Sequence, residues 1–150
     1  MPRSHARLCF HFVFATKHRS PWISPDLARE LYPFVGAVVR DQGGTLLAIG
    51  GMPDHLHLLV DLRPHPSIAT VVKAVKGSSS RWINESGRVA DHFRWQEGYA
   101  AFSVSLSVLE RVRTYVLHQE QHHRQASFQE EQKVLLAKHG ISLQEADLED

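Results

Sequence analysis

The sequence predicts an α+β fold, a four-stranded antiparallel sheet with helices packed on one face. Three observations predict it. Apolar periodicity switches between strand and helix spacing, giving the order β-α-β-β-α-β followed by two more helices. The connections are short, as antiparallel neighbours allow. The chain has 150 residues, 43% hydrophobic and 22% charged, which suits one domain with a real core. A single domain is expected over 1–141 and an acidic C-terminal tail over 142–150, with no interdomain linker or internal repeat.

Residues 8–16 read as a first strand rich in aromatics. Leu8, Phe10, Phe12 and Phe14 share its core face, while Cys9, His11 and Val13 share the other. His11 reads either as the neighbour of a site or as a structural histidine. Lys17-His18-Arg19 then forms a basic turn that could meet a phosphate or water. Ser24-Pro25-Asp26 starts a helix with a capping hydroxyl, a proline at the first turn and an acid near the positive dipole end. Leu27, Leu31, Phe34 or Val35, and Val38 carry it to about Asp41, with Pro33 expected to kink or delay it. Residues 45–50 and 53–61 follow as paired strands, joined by the turn chemistry of Gly50-Gly51 and Pro53-Asp54.

Pro66-Ser67 opens a second helix with Ile68, Val71, Val72, Val75, Trp82 and Ile83 as its apolar stripe. Residues 99–105 make the last strand. Ser107-Val108-Leu109-Glu110 is a capping box, predicting one helix to about His123. Ser127-Phe128-Gln129-Glu130 is a second box, opening a helix that stops at His139-Gly140.

The strand at 53–61 organises the rest. Alternation puts His55 and His57 on one side, about 7 Å apart, and Leu56, Leu58 and Val60 on the other, where a core can bury them. The histidines are thus expected on the open side of the sheet. Two imidazoles on a rigid strand make two-thirds of a metal site, although a chain with 11 histidines is expected to hold about one His-x-His by chance. On the helix from Ser107, Tyr115 and Gln119 stand four residues apart on one face. His122 lies near that stripe, and His118 and His123 lie beside it. Tyr115 and Gln119 could supply a phenol and a third ligand. Alternatively, Tyr115 packs on Val112 and Gln119 is solvated, the commoner fate of an aromatic on a helical stripe. Tyr32, beside Pro33, and Tyr99, beside Gly98, have no partner at a defined spacing.

Several function classes lack their parts. No phosphate-binding Gly-x-x-x-x-Gly-Lys loop, no Gly-x-Ser-x-Gly elbow and no paired-carboxylate cluster occurs. The one cysteine, Cys9, sits in an apolar strand without an activator and cannot form an internal disulfide, which fits a cytoplasmic protein. No run approaches the roughly 20 apolar residues of a membrane span, and no secretory signal precedes the first strand. The net charge of +1 divides unevenly: residues 1–124 hold 15 Lys/Arg against 10 Asp/Glu, and residues 125–150 hold 2 against 6. A basic body with 12 arginines is compatible with nucleic acid, or with a solvated surface.

The pieces resemble, in order, those of the TnpA-like insertion-sequence transposases, the single-tyrosine members of the HUH (His-hydrophobic-His) superfamily, including repeat-associated relatives. The matching stretches are 12–17, 52–60, 76–82, 95–105 and 115–119. The resemblance implies a ferredoxin-like sheet with a C-terminal tyrosine-bearing helix. It implies that His55, His57 and Gln119 hold a divalent metal, and that Tyr115 is the nucleophile. It also implies a homodimer, in which Tyr115 can serve the partner's site. The expected reaction is cleavage and rejoining of single-stranded DNA at hairpin-bearing ends through a 5′-phosphotyrosine. Two imidazoles and an amide oxygen suit Mg²⁺ or Mn²⁺. Lys17, Arg19, Lys73, Lys76 and Arg81 are the DNA-binding candidates, and Trp95 could stack on a base or be buried. A non-catalytic hairpin-binding protein of the same fold and a hydrolytic metal nuclease are the alternatives.

Overall fold

Strand β1 (Leu8–Ala15) is one of the two central strands of the sheet. β2 (Thr45–Met52) and β3 (His55–Leu62) form a hairpin, β4 (Ala100–Val104) lies on the far side of β1, and the order is β2-β3-β1-β4, antiparallel throughout. This computed structural model describes residues 4–123 and 126–141, so the acidic tail at 142–150 lies outside the described residues. Helices α1 (Pro25–Asp41) and α2 (Ile68–Ser86) fill the crossovers. After β4 come a short 3-10 turn (Leu106–Val108), α3 (Leu109–Leu117), α4 (Gln119–His122) and α5 (Phe128–Lys138).

The side-chain alternation of β1 and β3 divides the molecule. Phe12, Phe14, Leu56, Leu58 and Val60 bury one face against Leu27, Leu31 and Val35 of α1 and Val71, Val72 and Val75 of α2. Ser24 and Ser67 cap these helices, their side chains accepting from the Leu27 and Thr70 amides at 3.1 Å each. The expected kink at Pro33 does not interrupt α1, which runs unbroken past it. Pro33 is exposed, so the carbonyl it leaves without a helical donor can face water instead of breaking the helix. Trp95 is buried: its ring meets Phe14 and Phe93 edge-on, and its Nε1–H donates to Ser79 Oγ at 2.9 Å. Of its two expected fates, packing is the one observed.

The opposite face is not open. Helices α3, α4 and α5 cover it, burying Val13, Ala15 and Phe102 under Phe128, Leu135 and Leu136, and Ala48 and Leu59 under Val116. His55 and His57 are accordingly 1% and 0% exposed. Phe128, Leu135 and Leu136 of α5 and Val116 of α3 thus take this face of the sheet out of water.

The helix expected from Ser107 also differs. Ser107 does not cap it: Ser105 caps the preceding 3-10 turn, its hydroxyl accepting from the Ser107 amide at 3.3 Å, and α3 begins only at Leu109, with no side-chain cap. The helix then breaks at His118, whose φ of −108° and ψ of 34° leave the helical region. At Ser127 the second box does cap, with the Glu130 amide 3.2 Å from the serine oxygen.

Close packing of α3 needs Gly50. Gly50 pairs with His57 across the hairpin, and a Cβ there would overlap the Val116 carbonyl oxygen of α3. Arg113 fixes the same contact by donating to the Leu47 carbonyl at 2.9 Å. Gly50→Ala should therefore lift α3 from the sheet, raising amide hydrogen exchange over 109–117, while Gly36→Ala, where a Cβ meets only ordinary contacts, should leave it unchanged. Unaltered α3 protection in Gly50→Ala would refute the account.

Candidate metal centre and nucleophile

Five imidazoles, one amide, one carboxylate and one phenol converge between strands β1 and β3 and helices α3–α5. His55 Nε2 stands 3.5 Å from Gln119 Oε1, and His57 Nε2 stands 2.8 Å from Glu131 Oε1. His123 Nε2 lies 3.2 Å from Gln119 Oε1 and 3.3 Å from Glu131 Oε1. The donor atoms of His55, His57, His123 and Glu131 all fall within 4.8 Å of one another, so this group could hold a metal ion. Bonds of about 2.1 Å put adjacent donors about 3.0 Å apart in an octahedron and about 3.4 Å apart in a tetrahedron. Most of the observed separations are of that size. The donors present therefore fit a divalent ion without a large rearrangement.

The neighbours of the histidines set which nitrogen faces the pocket. His55 Nδ1 lies 2.7 Å from Asp54 Oδ1; a carboxylate only accepts, so Nδ1–H donates and Nε2 is the nitrogen turned inward. Burial alone would raise Asp54, but the hydrogen bond and charge of His55 hold it below its usual range. His123 is fixed likewise, Nδ1 donating to the Ala126 carbonyl at 2.8 Å. Burial would lower His123, yet the Glu131 carboxylate raises it.

His57 is different. Its Nε2–H donates to Glu131, which leaves Nδ1 to accept from His11 Nε2 at 2.7 Å. Burial lowers His57 to about 4 and His11 to about 3, so both rings are neutral near pH 7. An ion on His57 Nε2 requires the proton on Nδ1, and His11 Nε2 can then accept it. His11 can thus serve either tautomer, and of its two readings as a strand histidine the site neighbour is the one observed.

Tyr115 is half-buried and stands beside its own chain's histidines, its ring 5.6 Å from that of His57 and 6.0 Å from that of His11. Its hydroxyl donates to Glu131 Oε2. Burial first, and then the Glu131 hydrogen bond and charge, raise the phenol above its ordinary value. Burial would also raise Glu131, but hydrogen bonds from His123 and His57 hold it far below the usual carboxylate range. Gln119 is 1% exposed rather than solvated; its Nε2 donates to the Tyr115 carbonyl at 3.1 Å, across the break at His118. A cleft of about 630 Å³, lined by His11, Phe102, Val112 and Leu135 among others, opens onto Tyr115 and Glu131.

Tyr115, His55, His57 and Gln119 are thus brought together, and the basic residues are spread. Lys17 lines a second cleft with Ser80 and Arg94. Lys76 lines it too, but its ammonium donates to the Gln96 and Gly98 carbonyls at 2.7 Å each, anchoring the approach to β4. Lys73 and Arg81 are exposed on α2, and Arg19 lies over the Phe128 ring at 5.7 Å. Sequence reasoning missed Glu131 and gave His123 no role. Glu131 lies between Phe128 and Leu135 on the apolar stripe of α5, and an acid at a core position is the signal that could have found it.

Comparison with known proteins agrees with this architecture. Residues 4–119 match the family model described as IS200-like transposase. The ISDra2 transposase TnpA of Deinococcus radiodurans is 24% identical over 115 residues, 73% of this chain and 82% of the relative. The IS200 transposase of Salmonella typhimurium is also 24% identical, over 73% of this chain and 75% of its own length. Among solved structures, a candidate transposase from Deinococcus radiodurans superposes with a TM-score of 0.63 at 26% identity, covering 77% of this chain and 95% of the other. A REP-associated tyrosine transposase bound to a REP hairpin gives 0.58 at 13% identity, over 77% and 68%, a likeness of fold.

Asp54 should matter to the site chiefly through His55, whose ring it holds at 2.7 Å. Asp54→Ala is expected to weaken Mn²⁺ binding by about 10–100-fold in calorimetric titration, the usual effect of removing an orienting partner. An unchanged affinity would mean that the carboxylate does not orient the ligand.

Proposed function

This chain belongs to the IS200-like transposase family, and from that membership we propose that it cleaves and rejoins single-stranded DNA, at hairpin-bearing ends, through a 5′-phosphotyrosine on Tyr115. The observation that carries this reading is the convergence of the Tyr115 phenol with His55, His57 and Gln119 on one pocket beside an accessible cleft. A coincidental tyrosine would have no reason to direct its hydroxyl there. The hairpin carried by the REP-associated relative supports the choice of substrate. A DNA substrate and the free thiol of Cys9 fit the cytoplasmic location expected from the sequence.

His55, His57 and Gln119 would hold the ion, Mg²⁺ or Mn²⁺, with Asp54 and His11 orienting the two rings. When bound, such an ion draws charge from a non-bridging phosphate oxygen. Tyr115 Oη attacks the scissile phosphorus in line, forming the P–O bond of a 5′-phosphotyrosine as the bond to O3′ breaks. The O3′ leaves with its electron pair and takes a proton to become a 3′-hydroxyl. Because burial and Glu131 raise the phenol, phenolate does not accumulate at neutral pH. Its proton must therefore move as the P–O bond forms, toward Glu131 Oε2, which already accepts it in a hydrogen bond. The phosphotyrosine keeps the energy of the broken ester, so a 3′-hydroxyl can reverse the attack without a nucleotide cofactor.

Lys17, Arg94 and Ser80 beside the second cleft would contact the DNA backbone, with Arg19, Lys73 and Arg81 extending the surface. Lys76 would act mainly by holding the segment before β4. The homodimer implied by the resemblance can coexist with a tyrosine that serves its own chain.

Incubating hairpin-bearing single-stranded DNA with Mn²⁺ should give a covalent protein–DNA adduct. Tyr115→Phe should abolish it, a loss of about 10³-fold or more, whereas Tyr99→Phe should stay within about twofold. An adduct surviving in Tyr115→Phe overturns the assignment. Mixing Tyr115→Phe with His57→Ala subunits tests the dimer: no recovery of adduct is expected if the tyrosine acts in its own chain, and recovery would mean that helices are exchanged.

A further inference from the structure

Glu131 enters the site from α5, which lies beyond the family-matched residues 4–119. It is 3% exposed, whereas Glu130 beside it is exposed. Phe128, Leu135 and Leu136 pack α5 onto the sheet, and Glu131 occupies a core position among them. A carboxylate taken out of water this way is costly unless charge and hydrogen bonds compensate it. Its two oxygens face different groups. Oε1 lies 2.8 Å from His57 Nε2, 3.3 Å from His123 Nε2 and 3.6 Å from His55 Nε2. Oε2 accepts from the Tyr115 hydroxyl and stands 3.3 Å from His122 Nε2.

We propose that Glu131 is an additional, anionic ligand of the metal held by His55 and His57, and that its other oxygen positions the Tyr115 hydroxyl. This rests on the metal-dependent tyrosine reading and deepens it. His55, His57 and Gln119 are all neutral as ligands, so they leave the charge of a divalent ion uncompensated in a dry pocket. Mg²⁺ and Mn²⁺ prefer oxygen donors, and Glu131 supplies a charged one at the spacing of neighbouring ligands. With an ion on Nε2, His57 would carry its proton on Nδ1 and donate it to His11 Nε2, whose own proton would then sit on His11 Nδ1. A carboxylate that holds the ion with one oxygen and the phenol with the other fixes the distance between electrophilic assistance and nucleophile. It also couples ion loading to α5 docking, since an ion that needs Glu131 binds only the docked state.

Three measurements on the full chain test this. In Mn²⁺ titration by calorimetry, Glu131→Gln should weaken affinity at least 10-fold and His57→Ala should abolish binding. In hydrogen exchange, Mn²⁺ should slow the amides of 128–138 in the unmutated protein but not in Glu131→Gln. With ¹³Cζ-labelled tyrosine, Glu131→Gln should move the Tyr115 resonance and leave Tyr32 and Tyr99 in place. Unchanged Mn²⁺ affinity in Glu131→Gln, with binding lost in His57→Ala, overturns this proposal and leaves the histidine site standing. Raised affinity in Glu131→Gln overturns it too, marking the carboxylate as a competitor for the site. No binding in the unmutated protein overturns both readings, and an unmoved Tyr115 signal overturns the positioning role. Should Glu131→Gln fail to fold by circular dichroism, the unmutated protein decides: slowed exchange in α5 on adding Mn²⁺ supports the proposal, and unaltered exchange overturns it.

Discussion

The constraint on which the structure depends is the two-residue period of β3, held in register against β1. Leu58 opposite Phe12 and His57 opposite Val13 send the aliphatic side chains to one face and the imidazoles to the other. A slip of one residue would exchange the two sets, placing histidines in the α1/α2 core and leucines in the site. Burial of Leu56, Leu58 and Val60 therefore fixes where His55 and His57 point. The apolar core is what aims the polar site.

The second face shows how a protein can bury many polar groups together. Asp54, His11, Gln119, His123, Glu131 and Tyr115 each find a partner within the cluster, so their desolvation is offset mutually rather than by water. The arrangement polarises its members: burial keeps His57 and His11 neutral, while the histidines hold Glu131 ionised and Glu131 in turn raises Tyr115. A neutral imidazole and an ionised carboxylate are the protonation states that a cation needs. The same state leaves the phenol protonated, which ties its activation to the moment of attack.

The family match covers residues 4–119 and so ends at Gln119. His123 and Glu131 lie beyond it, on the turn after α4 and on α5. In this structure the Tyr115 phenol, the imidazoles and the Glu131 carboxylate meet within a single chain. Among the described residues no helix is long and apolar enough to cross a membrane.

Local pattern alone determined the order of strands and helices, the caps at Ser24, Ser67 and Ser127, and the sidedness of β1 and β3, because each depends on neighbours within a few residues. It also brought His55, His57, Tyr115 and Gln119 into view together, though as a site only with the help of resemblance. Tertiary structure decided the rest. Pro33 is tolerated because its face is solvated; α3 starts at Leu109 without the expected Ser107 cap; and the helix breaks at His118, so that Gln119 turns inward. The histidines are sealed, not open, because α3–α5 fold back over the sheet. Glu131 reaches His57 across 74 positions of sequence, a separation at which no spacing rule operates. Only the packing of Phe128, Leu135 and Leu136 against the sheet brings that carboxylate to the imidazoles, and packing of that kind is a property of the folded chain rather than of any stretch of it.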